Sequence, residues 1–372
     1  MFQPPFCPHR HCDAHYHRPQ DQWWEQRGSY HTRLFGSVTR YRCKLCGRQF
    51  SRQSFSIDYY AKRRISYPRL MGELCSCSSI RALGRNHRVG RKTIENKIMR
   101  LTRQALALQL LALEHVDLQE HLVVDGLESF WGSQYFPNNL HVAVGADSQF
   151  VYGWNGVTIR RSGRMRESQR SRREELERCY RADPQGVKWS FRSIARLCTR
   201  LMADSSHHEL ALRTDEHQSY PPALASLAQW ERLVQSRGVT HLRYSSRLPR
   251  TVGNPLFAVN YIDRECRKDM AEHVRETTRF ARSAHTSMER LSLYLVAHNF
   301  FKPWRLNGGS TEQRTHAEVA GVQIGGISRW FFTRRVMFSH QVITEPFLRI
   351  WLRMYETPLA RHGPYLPRYL LG

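Results

Sequence analysis

The hydrophobic positions of this chain follow a helical period from about residue 78 to residue 113 and a mixed helix and strand pattern beyond residue 118. Between residues 78 and 101, apolar residues recur at helical spacing on either side of a short gap: Ile80, Leu83, Ile94, Ile98 and Leu101. Because residues at this spacing share one face of a helix, the pattern predicts two helices joined by a turn. The Leu- and Ala-rich stretch 101–113 predicts a continuation of the second helix, packed either on its own domain or against a second protomer.

Beyond residue 118, short apolar runs bounded by turn residues predict five strands. The runs lie at 122–125, 140–144, 150–154, 210–212 and 240–244. An amphipathic helix is predicted between the third and fourth runs, where apolar residues recur at helical spacing over 191–201. Three antiparallel strands followed by alternating helices and strands are typical of an α/β protein, here with an RNase H-like mixed-sheet core.

The charge of the chain favours a polyanionic partner. The sequence has 57 Lys and Arg against 32 Asp and Glu, a formal net charge of +25. Residues 1–118 alone hold 21 basic and 8 acidic residues, so half of the excess lies in the first third of the chain. Lys and Arg that neutralise phosphates release counterions, which gives salt-sensitive binding to nucleic acid. No stretch supplies the roughly 20 apolar residues of a membrane span, so we expect a cytoplasmic, nucleoid-associated protein with no membrane partner.

Four of the nine cysteines form two closely spaced pairs, Cys7 with Cys12 and Cys43 with Cys46. In a reducing compartment such pairs indicate a metal site before they indicate disulfides, and Zn²⁺ takes four thiolates tetrahedrally. Gly47 after the last cysteine suits a tight turn. The four-residue gap in the first pair is longer than usual, so a mixed Cys/His site remains an alternative. The histidines available for it are His9, His11, His15 and His17.

The two predicted helices between residues 78 and 101 have the pattern of a DNA-binding helix-turn-helix. In that motif the start of the second helix faces base edges in the major groove. The residues predicted to contact bases are Arg91, Lys92, Thr93, Asn96 and Lys97. A generic helical hairpin is the alternative, and the basic cysteine module beside it favours the DNA-binding interpretation.

Carboxylates follow two of the predicted strands. Asp125 ends the first strand and Asp215 follows the fourth, and neighbouring strands would bring the two together. A third acid could be Glu289 or Asp263, and if one helix connected these two they would lie roughly 39 Å apart. Clustered carboxylates repel one another unless divalent cations neutralise them, and Mg²⁺ or Mn²⁺ suits hard oxygen ligands. Each acid taken alone has a simpler interpretation as a turn cap or a solvated side chain.

A basic run lies between the two candidates for the third acid. It includes Arg267, Lys268 and Arg275, which we expect to hold DNA backbone phosphates. The alternative is an ordinary solvated helix face.

Taken together, these residues resemble the DDE-type transposases of bacterial insertion sequences that carry an N-terminal zinc ribbon and a helix-turn-helix. The resemblance is carried by the segments 41–51, 125–130, 214–220 and 279–283, with Glu289 six residues beyond the last, and it covers most of residues 7–300. It implies that Asp125 and Asp215 are the first two catalytic acids. The third acid of the family is usually Glu, which Glu289 fits and the shorter Asp263 does not.

The resemblance also implies a domain plan and a function. The expected domains are a zinc ribbon at 1–58, a helix-turn-helix and connecting helix at 66–118, an RNase H-like core at 119–302 and a C-terminal accessory tail at 303–372. The expected protein binds terminal inverted repeats, cuts the DNA strand with Mg²⁺ or Mn²⁺ and joins it to target DNA, as a homo-oligomer on double-stranded DNA. The alternative is a DNA-binding regulator with an inactive transposase-derived core.

Overall fold

The N-terminal part of the chain is a small antiparallel sheet. The computed structural model describes residues 2–17, 21–274, 277, 279–304, 313–335 and 342–359. Its first elements are α1 (Asp13–Tyr16), β1 (Trp24–Thr32), β2 (Gly36–Cys43) and β3 (Gln49–Ser51), with the strands in the order β1-β2-β3. Trp23 stacks on Phe50 beside the cysteines, with ring centroids 5.9 Å apart. This aromatic pair and the cysteines form a core of their own.

Three helices follow, and a short turn joins the last two, as the hydrophobic spacing predicts. Their bounds are α2 (Tyr67–Leu74), α3 (Ile80–Asn86) and α4 (Arg91–His115). The hydroxyl of Ser79 accepts a hydrogen bond from the backbone of Ala82 and caps α3. A Cβ atom on Gly84 would come within 3.0 Å of the Val89 carbonyl oxygen, so the small residue permits the tight turn before α4. The predicted inner face is correct, because Leu83, Ile94, Ile98 and Leu101 are all fully buried.

The remainder of the chain is built on a five-stranded mixed sheet. Its strands are β4 (Leu122–Phe130), β5 (Pro137–Gly145), β6 (Val151–Thr158), β7 (Ala211–Asp215) and β8 (Thr240–Tyr244), in the order β6-β5-β4-β7-β8. The first three strands pair antiparallel, whereas β7 runs parallel to β4 and β8 runs parallel to β7. All five predicted strands are present, and the protein is α/β as predicted.

Helices connect the strands of this sheet and cover its faces. They are α5 (Glu167–Glu177), α6 (Gly186–Asp204), α7 (Tyr220–Ala225), α8 (Ala228–Arg237), α9 (Phe257–Asp269), α10 (Ala284–Phe300), α11 (His316–Val319), α12 (Ile327–Trp330) and α13 (Phe347–Trp351). The predicted amphipathic helix at 191–201 lies within α6, and its apolar face packs on β5 and β6. None of the helices described is long and apolar enough to cross a bilayer.

The long helix α4 connects the N-terminal helices to the sheet region. Its second half is buried and packs mainly against α10, and the hydroxyl of Thr102 donates to the backbone carbonyl of Glu289 at 3.2 Å. The sequence predicted that the stretch 101–113 packs either on its own domain or against a second protomer. In the structure it packs within its own chain.

The segment that follows α10 also packs into the main core. Phe331, Phe347, Trp351 and Tyr355 are buried, and the Phe347 ring lies 4.9 Å from that of Trp154 on β6. The residues described at 313–335 and 342–359 are thus part of the same hydrophobic cluster as the sheet and helix α4.

Candidate functional site

Two short turns hold the four N-terminal cysteines. The amide of Cys43, at the end of β2, donates to the Arg48 carbonyl, and the amide of Gly47 donates back to the Cys43 carbonyl at 2.9 Å. Gly47 has a φ of +72°, in the left-handed region that glycine adopts without strain. On the other side, the amide of Cys7 donates to the Ala14 carbonyl, which folds the first cysteine pair around α1. Both turns therefore aim their thiols at one point.

The geometry of the four thiols fits a tetrahedral metal. The Sγ atoms of Cys7 and Cys46 are 3.7 Å apart, and those of Cys12 and Cys43 are 3.6 Å apart. Four thiolates about 2.3 Å from one Zn²⁺ would have their sulfur atoms about 3.8 Å from each other. Burial raises the pKa of Cys12 to about 11, so a cation at the centre is needed to hold the thiolates at neutral pH. This buried group can therefore hold Zn²⁺.

The alternative of a mixed Cys/His site receives no support from the part of the chain that the structure describes. The group of metal-ligating atoms found there consists of the four cysteines, whose sulfurs all lie within 4.8 Å of one another. His15, the most buried of the four histidines, uses its Nδ1 atom on the Cys7 carbonyl oxygen at 2.6 Å. Through this contact it braces the first turn.

Asp125 and Asp215 lie side by side on adjacent parallel strands. The last paired residues of β4 and β7 are Val124 and Thr214, so each aspartate is the next residue of its strand. Strands in a sheet are about 4.8 Å apart, and the Asp215 charge, after burial, is the second cause that raises the pKa of Asp125 to about 6. Asp125 accepts a hydrogen bond from the amide of Gly126, and Asp215 accepts one from the amide of His217. The structure therefore places these two acids next to each other, as the sequence predicted.

Asp263 reaches the same place from the helix α9, which packs against β4 and β5. The residue is 7 % exposed, and its Oδ1 atom has no hydrogen-bond partner among the described residues. Burial, followed by the charge of Asp125, raises the pKa of Asp263 to about 8. A buried carboxyl without a partner is costly unless a cation or a ligand completes its environment. Asp263 is therefore the third acid that the structure brings to Asp125.

Two arginines and a tyrosine surround these acids. The positive charges of Arg267 and Arg250 oppose the rise in the pKa values of both Asp125 and Asp263. Tyr220 is fully buried, and burial together with the charges of the three aspartates holds its pKa far above the usual range. Tyr220 is thus a neutral phenol beside the acids.

Sequence reasoning missed the roles of two of these neighbours. Tyr220 lies in the quoted segment 214–220, so its position five residues after Asp215 was a usable signal. Arg250 lies in the loop before α9 and has no local motif. Arg267 was predicted to hold DNA phosphate, and the structure puts its charge close to the acids, one helical turn after Asp263.

Glu289 is not brought to this cluster. It lies on α10, where its Oε1 atom is 3.1 Å from the Nε atom of Arg353. Burial raises the pKa of Glu289 to about 7, although the positive charges of Arg353 and Arg103 act to lower it. Asp263 and Glu289 belong to two separate helices, so the single connecting helix considered for them does not exist. The reason is tertiary: α9 packs on the sheet beside Asp125, whereas α10 turns Glu289 towards α4.

The predicted DNA-contacting residues at the start of α4 divide into exposed and buried ones. Arg91, Lys92 and Asn96 are exposed, Thr93 is half-buried, and Arg91 pairs with Glu95 at 2.6 Å. Lys97 is 3 % exposed, and its ammonium group forms an ion pair with Asp58, which also accepts from Tyr67. The prediction that Lys97 contacts bases is corrected here, because its charge is turned inwards to a partner 39 residues earlier.

The predicted phosphate-contacting residues Arg267 and Lys268 lie in the last turn of α9. Lys268 is exposed and its Nζ atom lies 3.2 Å from Glu265, a residue that also binds Lys302. Arg275 lies outside the residues that the structure describes.

Comparison with models of known protein families and with curated proteins gives no match. The findings so far are a four-cysteine cluster in a small antiparallel sheet, followed by helices and a mixed α/β region in which three aspartates converge.

Proposed function

We propose that this chain is a DDE-type transposase in which the third acid is Asp263. In this proposal it binds the terminal inverted repeats of its element, cuts a DNA strand and joins the free 3'-hydroxyl to target DNA. The observation that carries the proposal is the convergence of Asp125, Asp215 and the buried, unpartnered Asp263 from two strands and one helix. The sheet order β6-β5-β4-β7-β8, with an antiparallel β5 beside a parallel β4 and β7, supports an RNase H-like core.

The three aspartates would hold Mg²⁺ or Mn²⁺. Their donor atoms are hard carboxylate oxygens, and the Oδ1 atom of Asp263 has no hydrogen-bond partner within the described part of the chain and is free to act as a ligand. When bound, such ions polarise the scissile phosphate and lower the pKa of the attacking hydroxyl or water. The three aspartates are therefore suitable ligands for Mg²⁺ or Mn²⁺.

The side chains around the acids would orient the DNA. Arg267 and Arg250 bring positive charge to the same place, where a phosphate of the DNA strand would have to lie. Tyr220 is held beside the acids by stacking on Phe191, with ring centroids 4.0 Å apart. In this arrangement the arginines would position the DNA backbone.

The N-terminal elements would supply recognition of the element ends. The exposed residues Arg91, Lys92 and Asn96 lie in the first two turns of α4, where a helix-turn-helix contacts bases. The zinc ribbon, which adds the basic residues Arg42 and Lys44, would bind backbone phosphate next to it.

A DNA-binding regulator with an inactive transposase-derived core is the second candidate, and one observation favours it. Among the described residues, the four cysteines have ligand atoms that all lie within 4.8 Å of one another. The three aspartates do not lie this close together. The aspartates would have to draw closer around a cation for the transposase, whereas a regulator would not need this.

A strand-transfer assay separates the two functions. Purified protein is incubated with labelled duplex that carries the ends of its own element, with plasmid target, and with Mg²⁺ or Mn²⁺. Joining of the labelled strand to the plasmid supports the transposase. Specific binding of the ends without joining in either metal overturns it in favour of the regulator.

A further inference from the structure

A large open cavity lies on the ribbon, between the strands β1 to β3 and the loop that carries Cys7. Its volume is about 750 Å³, within the usual range of ligand pockets and far too small for a DNA duplex. The side chains that decide what it can bind are Arg10, Arg40, Arg48, Tyr30, Phe50 and Tyr60. The proposed catalytic acids lie elsewhere in the fold, since Asp125 and Asp215 are on the other sheet and Asp263 is on the helix α9 that packs against it.

The electrostatics of this cavity favour an anion. The described lining includes three arginines and two histidines, and it contains no carboxylate. The arginines elsewhere on the same sheet behave differently, since Arg27 and Arg42 both lie close to Glu25, at 2.8 and 3.9 Å. No carboxylate among the lining residues lies beside Arg40 and Arg48, whereas Arg27 and Arg42 have Glu25 beside them.

Aromatic rings lie among these charges. The Arg40 guanidinium stacks over the Tyr30 ring at 4.9 Å, and the Tyr30 hydroxyl is fixed by Ser51 at 3.2 Å. Phe50 lines the wall, and Tyr60 stands on the rim with 86 % of its surface exposed. The φ of Tyr60 is +51°, in the left-handed region that bulky residues rarely adopt. An exposed aromatic ring next to arginines offers a stacking surface for a planar ligand.

We infer that this cavity binds an unpaired nucleotide of single-stranded DNA, with its base stacked on Tyr30 or Tyr60 and its phosphates held by Arg40 and Arg48. Proteins that hold single strands combine a positive groove with aromatic stacking platforms, and this cavity has both. A paired base is inaccessible to it because the duplex cannot enter. The inference rests on the proposed function only for the source of the single-stranded DNA, since cutting a duplex end leaves nucleotides without a base-pairing partner.

The test compares a short fluorescent oligothymidylate with a duplex of equal length, on full-length zinc-loaded protein and without added divalent cation. Arg40→Ala and Tyr30→Ala are expected to weaken single-strand binding by about tenfold or more, as expected for the loss of one stacked base. Tyr30→Phe keeps the ring and is expected to bind like wild type. Arg27→Ala is the matched control, because this exposed arginine lies on the same sheet but outside the cavity. Zinc content and circular dichroism confirm that each variant is folded.

A second readout distinguishes stacking from simple attraction of phosphate. An oligonucleotide with 2-aminopurine at one position is expected to lose fluorescence on binding to wild type, and not on binding to Tyr30→Ala. Unquenched 2-aminopurine with wild type, equal loss of single-strand and duplex binding in Arg40→Ala, or an equal effect of Arg27→Ala would each overturn the inference. Because no divalent cation is used, failure of strand transfer leaves this result unaffected, and the two proposals fail separately.

Discussion

The carboxyl group of Asp263, on helix α9, lies close enough to that of Asp125, in the central strand of the sheet, for the Asp125 charge to raise its pKa. The two residues are 138 positions apart in sequence and meet only because α9 packs across β4. Glu289, although it matches the expected residue type, faces Arg353 instead. The relative position of these three acids gives the sharpest test of the proposed chemistry.

Asp263→Asn should reduce strand transfer by more than about 100-fold, because it removes a ligand charge while keeping the side-chain shape. Asp125→Asn and Asp215→Asn should have the same effect. Glu289→Gln is the matched control, as it removes a buried carboxylate that is not in the cluster. End binding by all four variants is measured in parallel by gel shift and should be retained. Activity lost at Glu289 and kept at Asp263 would contradict this assignment.

The N-terminal cysteines should bind one Zn²⁺ per chain. Cys43→Ser should release it and loosen residues 7–51, because a structural metal supplies much of the folding free energy of a small module. Cys179→Ser is the control, since that cysteine is exposed and lies outside the group. Native mass spectrometry reports the metal, and hydrogen exchange reports the loosening. Protein isolated without zinc, or an equal effect of both substitutions, would argue against the site.

Asn96 and Lys97 are adjacent in sequence but should have different effects when replaced. Asn96→Ala should relax the preference for element ends over random DNA by about 1 to 3 kcal/mol, because its exposed side chain would contact a base. Lys97→Ala should instead destabilise the fold by about 1 to 3 kcal/mol, because it leaves the half-buried Asp58 without its cation. Competition binding and thermal unfolding separate the two effects. Equal loss for all DNA sequences in Asn96→Ala would contradict the helix-turn-helix assignment.

Stability should fall in mild acid because of two stacked histidines. The rings of His298 and His316 are 3.7 Å apart and buried, and burial lowers the pKa of His316 to about 4. The unfolded chain, with histidine near its usual value of about 6.5, binds more protons in this window. Stability is therefore full above about pH 6.5 and is lost as the pH falls towards 4.

His316→Asn should flatten this dependence, since an amide replaces the Nδ1 hydrogen bond to the Ser148 carbonyl without titrating. The difference in unfolding free energy between pH 7 and pH 5 should shrink by roughly 2 kcal/mol. Denaturant unfolding at the two pH values measures it. An unchanged difference would assign the acid sensitivity to other groups.

Local patterns in the sequence predicted much of the fold. The strand β5, with Leu140 to Val144, and the helix face of Ile94 and Ile98 follow from periodicity, which local spacing determines. The four cysteines also came together as predicted, since each pair needs only one turn to present its sulfurs.

The features that could not be predicted depend on tertiary packing. Whether Asp263 or Glu289 faces the sheet depends on which helix packs across β4. Local sequence patterns do not show which helix this is. Lys97 looked like its exposed neighbours because its partner Asp58 is distant in sequence. Arg250 takes its place beside the acids through a loop with no motif.

Helix α4 limits how this chain could be divided or recombined. Its exposed first turns and its buried second half, with Leu106, Leu108 and Leu110, are one continuous element of 25 residues. A fragment that ended at residue 118 would turn those leucines from protein interior into solvent-facing surface, where they favour aggregation. The chain is therefore a poor candidate for module exchange at this boundary. A new sequence preference is better acquired by substitutions within the first turns of α4 than by grafting a foreign domain.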